Sequence, residues 1–247
     1  MASVTIAGLT TNIWQGGMTP SNPMSSRQAL PLPGWPEVAV ALITYVTLVV
    51  TLSVVWLLRI PDEQAAWRGI VGMAMNGIVG CIALLAAYLI RIRNFSAFGF
   101  RKTTARWLLI GAVFGVAAFL LSRLIEQIYF SFITEANTQA DFQAAAKAGL
   151  FSLLVLVFSG AILTPFGEEV VFRGVIANAL NRYGAWAGIV GSALIFGAAH
   201  GPSVIFFNAF MAGILTGYLF RKTESVWPGF VTHFVYNAIW LVVYSYQ

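Results

Sequence analysis

The chain reads as a succession of long apolar runs separated by short polar or basic breaks. A helical bilayer crossing needs about 20 mostly apolar residues to span ~30 Å of hydrocarbon. The first run that meets this is Glu37–Leu58, which stops at Arg59, Ile60 and Pro61. The second, Gly69–Ile90, stops at Arg91 and Arg93, and the third extends from Trp107 to Phe130. The polar stretch from Thr134 to Lys147 predicts a loop with a short surface helix. A fourth run, Ala148–Thr164, is expected to break near Pro165 and Gly167, and a second helical segment, Glu168–Asn181, carries charge among apolar residues. Ala185–His200 follows and is ended by Gly201 and Pro202; Ser203–Phe220 and Val226–Tyr244 complete the series. Long runs without alternation indicate helices rather than a barrel. The expected fold is all-α, a polytopic transmembrane helical bundle with about seven to eight membrane-embedded helices. There is no inverted repeat of the kind many transporters carry.

Composition agrees. Of 247 residues, 59% are hydrophobic and only 9% charged, and the mean hydropathy is +0.80. Soluble domains carry charge on about 25% of their residues, so lipid must cover the surface that charge cannot. Residues 1–36, rich in Ser, Thr, Gly, Pro, Asn and Met, lack a charged stretch leading into an apolar one and read as a disordered tail rather than a signal peptide. Residues 37–147 are then expected to form an N-terminal set of transmembrane helices and loops, and 148–247 a second transmembrane domain, the one that holds the chain's rare polar residues. The lone cysteine, Cys81, sits in an apolar run as a small packing residue. Trp35, Trp56, Trp107, Trp227 and Tyr244 fall near run ends, where interfacial anchoring is expected. Gly72, Gly77, Gly80, Gly111 and Gly115 are expected to mark close helix packing.

The net charge of +5 bears on orientation rather than on nucleic-acid binding, for which no basic run interleaved with aromatics exists. Arg91, Arg93, Arg101, Lys102 and Arg106 crowd the connection between the second and third runs. That connection is therefore expected on the cytoplasmic side, with the N-terminus, Arg182, Arg221 and Lys222, and the expected location is a bacterial cytoplasmic membrane. Arg123 and Glu126, three residues apart, can pair on one helical face.

The rare polar residues concentrate in the C-terminal half. Glu168 and Glu169 are adjacent within an apolar stretch that also holds Arg173. A charge in the bilayer costs roughly 2.5 to 3.5 kcal/mol even on the lenient insertion scale, so two acids and an arginine there need a reason. The plain reading is a helix end with a Glu169–Arg173 surface pair. The chain has two histidines, His200, four residues after Phe196, and His233, four before Asn237, each in an apolar run. Alone, either suits an interhelical hydrogen bond, as does Asn208, which can otherwise help line a site. Together these groups suit hydrolysis: one of two crowded carboxylates accepts a proton, a neutral histidine positions water, and a His/Asn pair on one face donates to an oxyanion. The expected arrangement is a water held between Glu168 and His200, facing His233 and Asn237 across a scissile carbonyl.

Glu168-Glu169 with Arg173, Phe196 with His200, and His233 with Asn237 resemble, in order and spacing, the E-E-x-x-x-R, F-x-x-x-H and H-x-x-x-N motifs of the CPBP family. This is the family of type II CAAX prenyl endopeptidases and bacteriocin-processing or immunity proteins, also called Abi. The resemblance covers residues 148–244; the first three runs resemble nothing specific. It implies an intramembrane endopeptidase of glutamate type, in which Glu168 and His200 hold the water, His233 and Asn237 the oxyanion, and Glu169, Arg173 and Phe196 support them. It implies a protein or peptide substrate, lipidated chains included, met in the lipid bilayer. No cofactor is expected. The zinc alternative would use Glu168, His200 and His233, but there is no H-E-x-x-H, and adjacent glutamates diverge by about 100° around a helix. The rival classes are a non-catalytic scaffold or bacteriocin-immunity protein of the same fold, and a proton-coupled transporter relaying through the glutamates and histidines.

Overall fold

The first apolar run becomes helix α1, Trp35–Val55, because a backbone without water must satisfy its own hydrogen bonds. Its first turn is tied down by a buried acid. Glu37 accepts from the Gly34 amide at 2.7 Å, and the Arg91 guanidinium donates to both of its oxygens at 2.9 Å. Those bonds push the Arg91 pKa above its ordinary value. The computed structural model describes residues 31–247; most of the expected N-terminal tail lies outside the described residues.

The helices that follow are α2 Ala65–Ile90, α3 Ala105–Phe130, the short α4 Ala140–Lys147, α5 Leu150–Tyr183, α6 Ala187–Ala198, α7 Val204–Thr223 and α8 Val226–Tyr244. No strand occurs among the described residues. Six of these helices, α1, α2, α3, α5, α7 and α8, are long and apolar enough to cross a membrane, and α6 is a shorter apolar helix. The protein is thus an integral membrane protein, a polytopic helical bundle. Its outer face is studded with exposed Ile43, Leu109, Val113, Leu120 and Phe151, which lipid covers. Gly201, at φ +77°, turns the chain between α6 and α7, where a helix end was expected.

One expectation is corrected. The chain does not break at Pro165 and Gly167; α5 runs through both for 34 residues. The turn at Phe158–Leu163 widens to π-helical bonding, with the Thr164 amide donating to the Ser159 carbonyl five residues back. That widening relieves the clash between a proline ring and the carbonyl four residues earlier. Two expected segments therefore merge into one helix.

The core forms where α1 packs on α2, α2 on α5, and α5 on α6 and α7, while α3 packs on α8. Gly77 and Gly80 of α2 lie against the α5 backbone at Leu163 and Gly167, and any Cβ there would strike main-chain atoms. Gly111 and Gly115 pack in the same way against Pro228 and Thr232. Gly72 does not: it faces only Leu57 side-chain atoms at 3.5 Å, in ordinary contact. The interfacial aromatics also divide. Trp35 and Trp56 are exposed, whereas Trp227 packs among Phe100, Phe166 and Phe230, and Tyr244 is buried and lines a cavity instead of anchoring the chain at an interface.

The two ends of the bundle differ in charge. The start of α1, the end of α2, the end of α5, the end of α7 and the start of α8 share one end. Arg182 there donates to the Pro33 carbonyl, Arg101 pairs with Glu224, and Ser225 donates to the Arg101 carbonyl. At the other end Arg68 pairs with Asp62 and Asp141, and Glu135 accepts from Tyr129 at 2.8 Å and from the Val204 amide at 3.2 Å.

Candidate active site

α5 carries Glu168 and Glu169 on a segment held tightly against α2 by the glycine contacts, and the helical rotation sends the two carboxylates to different neighbours. Glu168 reaches a cavity of about 200 Å³ lined by residues of all the helices from α2 to α8. Glu169 lies behind it, fully buried, with Oε1 at 3.2 Å from Arg173 Nη1. Gly229 of α8 leaves room for that carboxylate, since a Cβ there would sit 2.5 Å from Glu169 Oε2. The Arg173 guanidinium lies over the Phe196 ring at 4.6 Å, a cation–π contact. The same ring meets His200 edge-on at 4.7 Å and His233 at 5.8 Å. Phe196 thus packs at once against the Arg173 guanidinium and both imidazoles.

The three motifs converge. His200 Nε2 is 3.9 Å from Glu168 Oε1, and His233 Nε2 is 3.5 Å from Glu168 Oε2. The other face of His233 turns to the second acid, with Nδ1 at 3.4 Å from Glu169 Oε1. The His200 Nδ1 hydrogen donates to the Phe196 carbonyl at 2.8 Å, which directs Nε2 at Glu168. Asn237 lines the same cavity and donates one N–H to the Gly160 carbonyl at 2.8 Å, within the π-helical turn. Its second N–H stays available. π-Helical turns recur at functional sites because they displace carbonyls from the helical ladder.

One participant was not singled out by the sequence. Asn76 of α2 donates to Glu168 Oε1 at 2.6 Å, and its own oxygen accepts from the Tyr45 hydroxyl of α1 at 2.5 Å. The signal was present: Asn76 is a strongly polar side chain in the middle of the apolar run Gly69–Ile90. The first two helices thus supply the partner that fixes the Glu168 carboxylate. Glu126 also faces inward, pairing with Arg123 at 3.6 Å and accepting from Asn208 at 3.1 Å. Asn208 does both things considered for it, bridging two helices and lining the cavity, with its buried oxygen unpartnered.

No group of three or more His, Cys, Asp or Glu among the described residues could hold a metal ion as arranged.

Comparison with known proteins returns no match among curated proteins and none among solved structures. Residues 149–239, the stretch that carries all three motifs, match the family model described as Type II CAAX prenyl endopeptidase Rce1-like.

Proposed function

We propose that this protein is an intramembrane endopeptidase that hydrolyses peptide bonds of membrane-associated protein or peptide chains with a water activated by Glu168. The observation that carries the reading is the meeting of Glu168 from α5, His200 from the turn that closes α6, and His233 from α8 at one cavity within the bundle. The family match over the same stretch supports it.

The water sits between Glu168 and His200 Nε2. Glu168 takes one of its protons, the hydroxide adds to the scissile carbonyl, and the new C–O bond leaves a tetrahedral oxyanion. His233 and the free Asn237 N–H donate to that oxyanion. The proton held on Glu168 then passes to the leaving nitrogen as the C–N bond breaks, giving a carboxylic acid and an amine. Glu169 and Arg173 form a buried pair beneath His233 and orient it. Asn76 holds Glu168 Oε1 and leaves Oε2 to face His233.

Glu168→Gln tests this. Glutamine keeps the side-chain volume and can still accept from Asn76, so the fold is retained while the base is lost. General-base catalysis contributes typically about 10²–10⁴-fold. Comparative membrane proteomics of wild-type and Glu168→Gln cells should show an uncut precursor accumulating in the variant. A variant that cleaves as wild type removes Glu168 from the role of base; rescue of a deletion strain equally by both proteins would favour a binding protein over an enzyme.

A further inference from the structure

The cavity has a direction. Its walls include Gln139, Phe142, Trp240 and Tyr244, all near the end where α3 finishes and α7 begins. A second pocket of about 250 Å³ shares Glu126, Gln139, Ile205, Trp240 and Tyr244 with it and reaches the exposed residues Ala136, Asn137 and Thr138. The route from Glu168 to water therefore leads toward that end. The opposite end, beyond Arg173, is closed: Phe98, Phe172, Ile176 and Leu219 there are fully buried.

The charges of the two ends decide what lies outside that route. The closed end carries Arg91, Arg93, Arg101, Lys102 and Arg106 on one connection, with Arg182, Arg221 and Lys222 beside it and the acids Glu37 and Glu224 against them. The open end carries Arg59, Arg68, Arg123 and Lys147 against Asp62, Glu63, Glu126, Glu135 and Asp141, with Arg68 committed to two of those acids and Arg123 paired with Glu126. Basic residues near span ends collect on the cytoplasmic side. The closed end thus faces the cytoplasm and the open end the other side.

We infer that the site takes its substrate from the non-cytoplasmic side, as an extended juxtamembrane segment of a membrane-anchored or translocated chain. This rests on the endopeptidase reading for its chemistry, but not for its direction. A cavity of about 200 Å³ cannot admit a folded domain, and an α-helix with its side chains is about 10–12 Å across, so the segment is threaded extended past Glu126 and Tyr244.

The test uses full-length protein in cells, in a Cys81→Ser background that removes the native thiol. Thr138→Cys lies at the mouth and Lys102→Cys at the closed end; both native positions are exposed. A membrane-impermeant maleimide should label Thr138→Cys in intact cells (spheroplasts, where an outer envelope intervenes) and Lys102→Cys only after permeabilisation. The reverse pattern overturns the proposal, and so does labelling of both from outside. In a second arm, Thr138→Cys cells are treated with an impermeant polyethylene-glycol maleimide. The precursor that builds up in Glu168→Gln cells should then build up here, at least fivefold over untreated Thr138→Cys cells. A labelled mouth with undiminished processing overturns the route. If Glu168→Gln itself accumulates no precursor, it is the endopeptidase reading that fails, while the labelling still reports the direction.

Discussion

Glu168 and Glu169 are neighbours in the chain, yet substituting them should fail in opposite ways, and the second is the more demanding to predict. Glu169→Gln removes the charge that faces Arg173. Both side chains are 1% exposed, and the charged atoms are 3.2 Å apart. At an effective dielectric of about 20, that separation corresponds to about 5 kcal/mol of attraction. Breaking one partner of a buried pair typically costs about 3–5 kcal/mol, because the survivor keeps its desolvation penalty without compensation. The guanidinium has little else to turn to: none of its nitrogens makes a further hydrogen bond, and its remaining contact is the Phe196 ring. Glu169→Gln should therefore lower the thermal midpoint of the detergent-solubilised protein by roughly 10 °C, taking about 2–4 °C per kcal/mol for a chain of this size. The double variant Glu169→Gln/Arg173→Met should recover most of that loss, since replacing a buried pair with apolar groups is often neutral. Differential scanning fluorimetry on the four proteins of the cycle measures both. A single variant as stable as wild type, or a double variant no better than the single, would refute the reasoning.

Asn76→Ala deletes the donor to Glu168 Oε1; a hydrogen bond to a charged group contributes about 1.5–3 kcal/mol, so kcat should fall about tenfold to a hundredfold with KM little changed, and a kcat within twofold of wild type would take Asn76 out of the site. Gly77→Leu should abolish a monodisperse size-exclusion peak, because the new side chain meets the Leu163 backbone, whereas Gly72→Leu should be tolerated beside the Leu57 side chain; equal behaviour of the two would contradict the packing described. Purified protein treated with excess chelator should keep its proteolytic activity, and a loss restored by added zinc would reverse the metal-free mechanism.

Much of this was legible in the chain because a bilayer enforces simple rules. Long apolar runs became helices, and polar side chains too costly for lipid gathered where they could satisfy one another, so the three motifs could be read as one site. The failures have a common physical origin. Pro165 reads as a breaker because the rule assumes an α-helical turn before it, and the π-helical turn that accommodates it depends on packing against α2 and α8. Asn76 was passed over because a single amide in an apolar run carries no motif; only the glycine contacts that press α2 onto α5 bring it to Glu168. Tyr244 reads as an interfacial anchor by position, but the cavity, invisible in one dimension, claims its ring.

The π-helical turn at Phe158–Leu163 also sets a phase. Compared with an α-helix, such a turn holds one surplus residue, and one residue is worth about 100° of rotation. Both glutamates, downstream on the same helix, take their bearing from that surplus, and Arg173 lies within a second such turn, Phe172–Ala177. Excising any one residue from 158–163 would let the hydrogen-bond ladder close up regularly and would swing the charged stripe out toward the acyl chains. Natural variation in the length of this short segment should thus be far rarer than variation in its side chains.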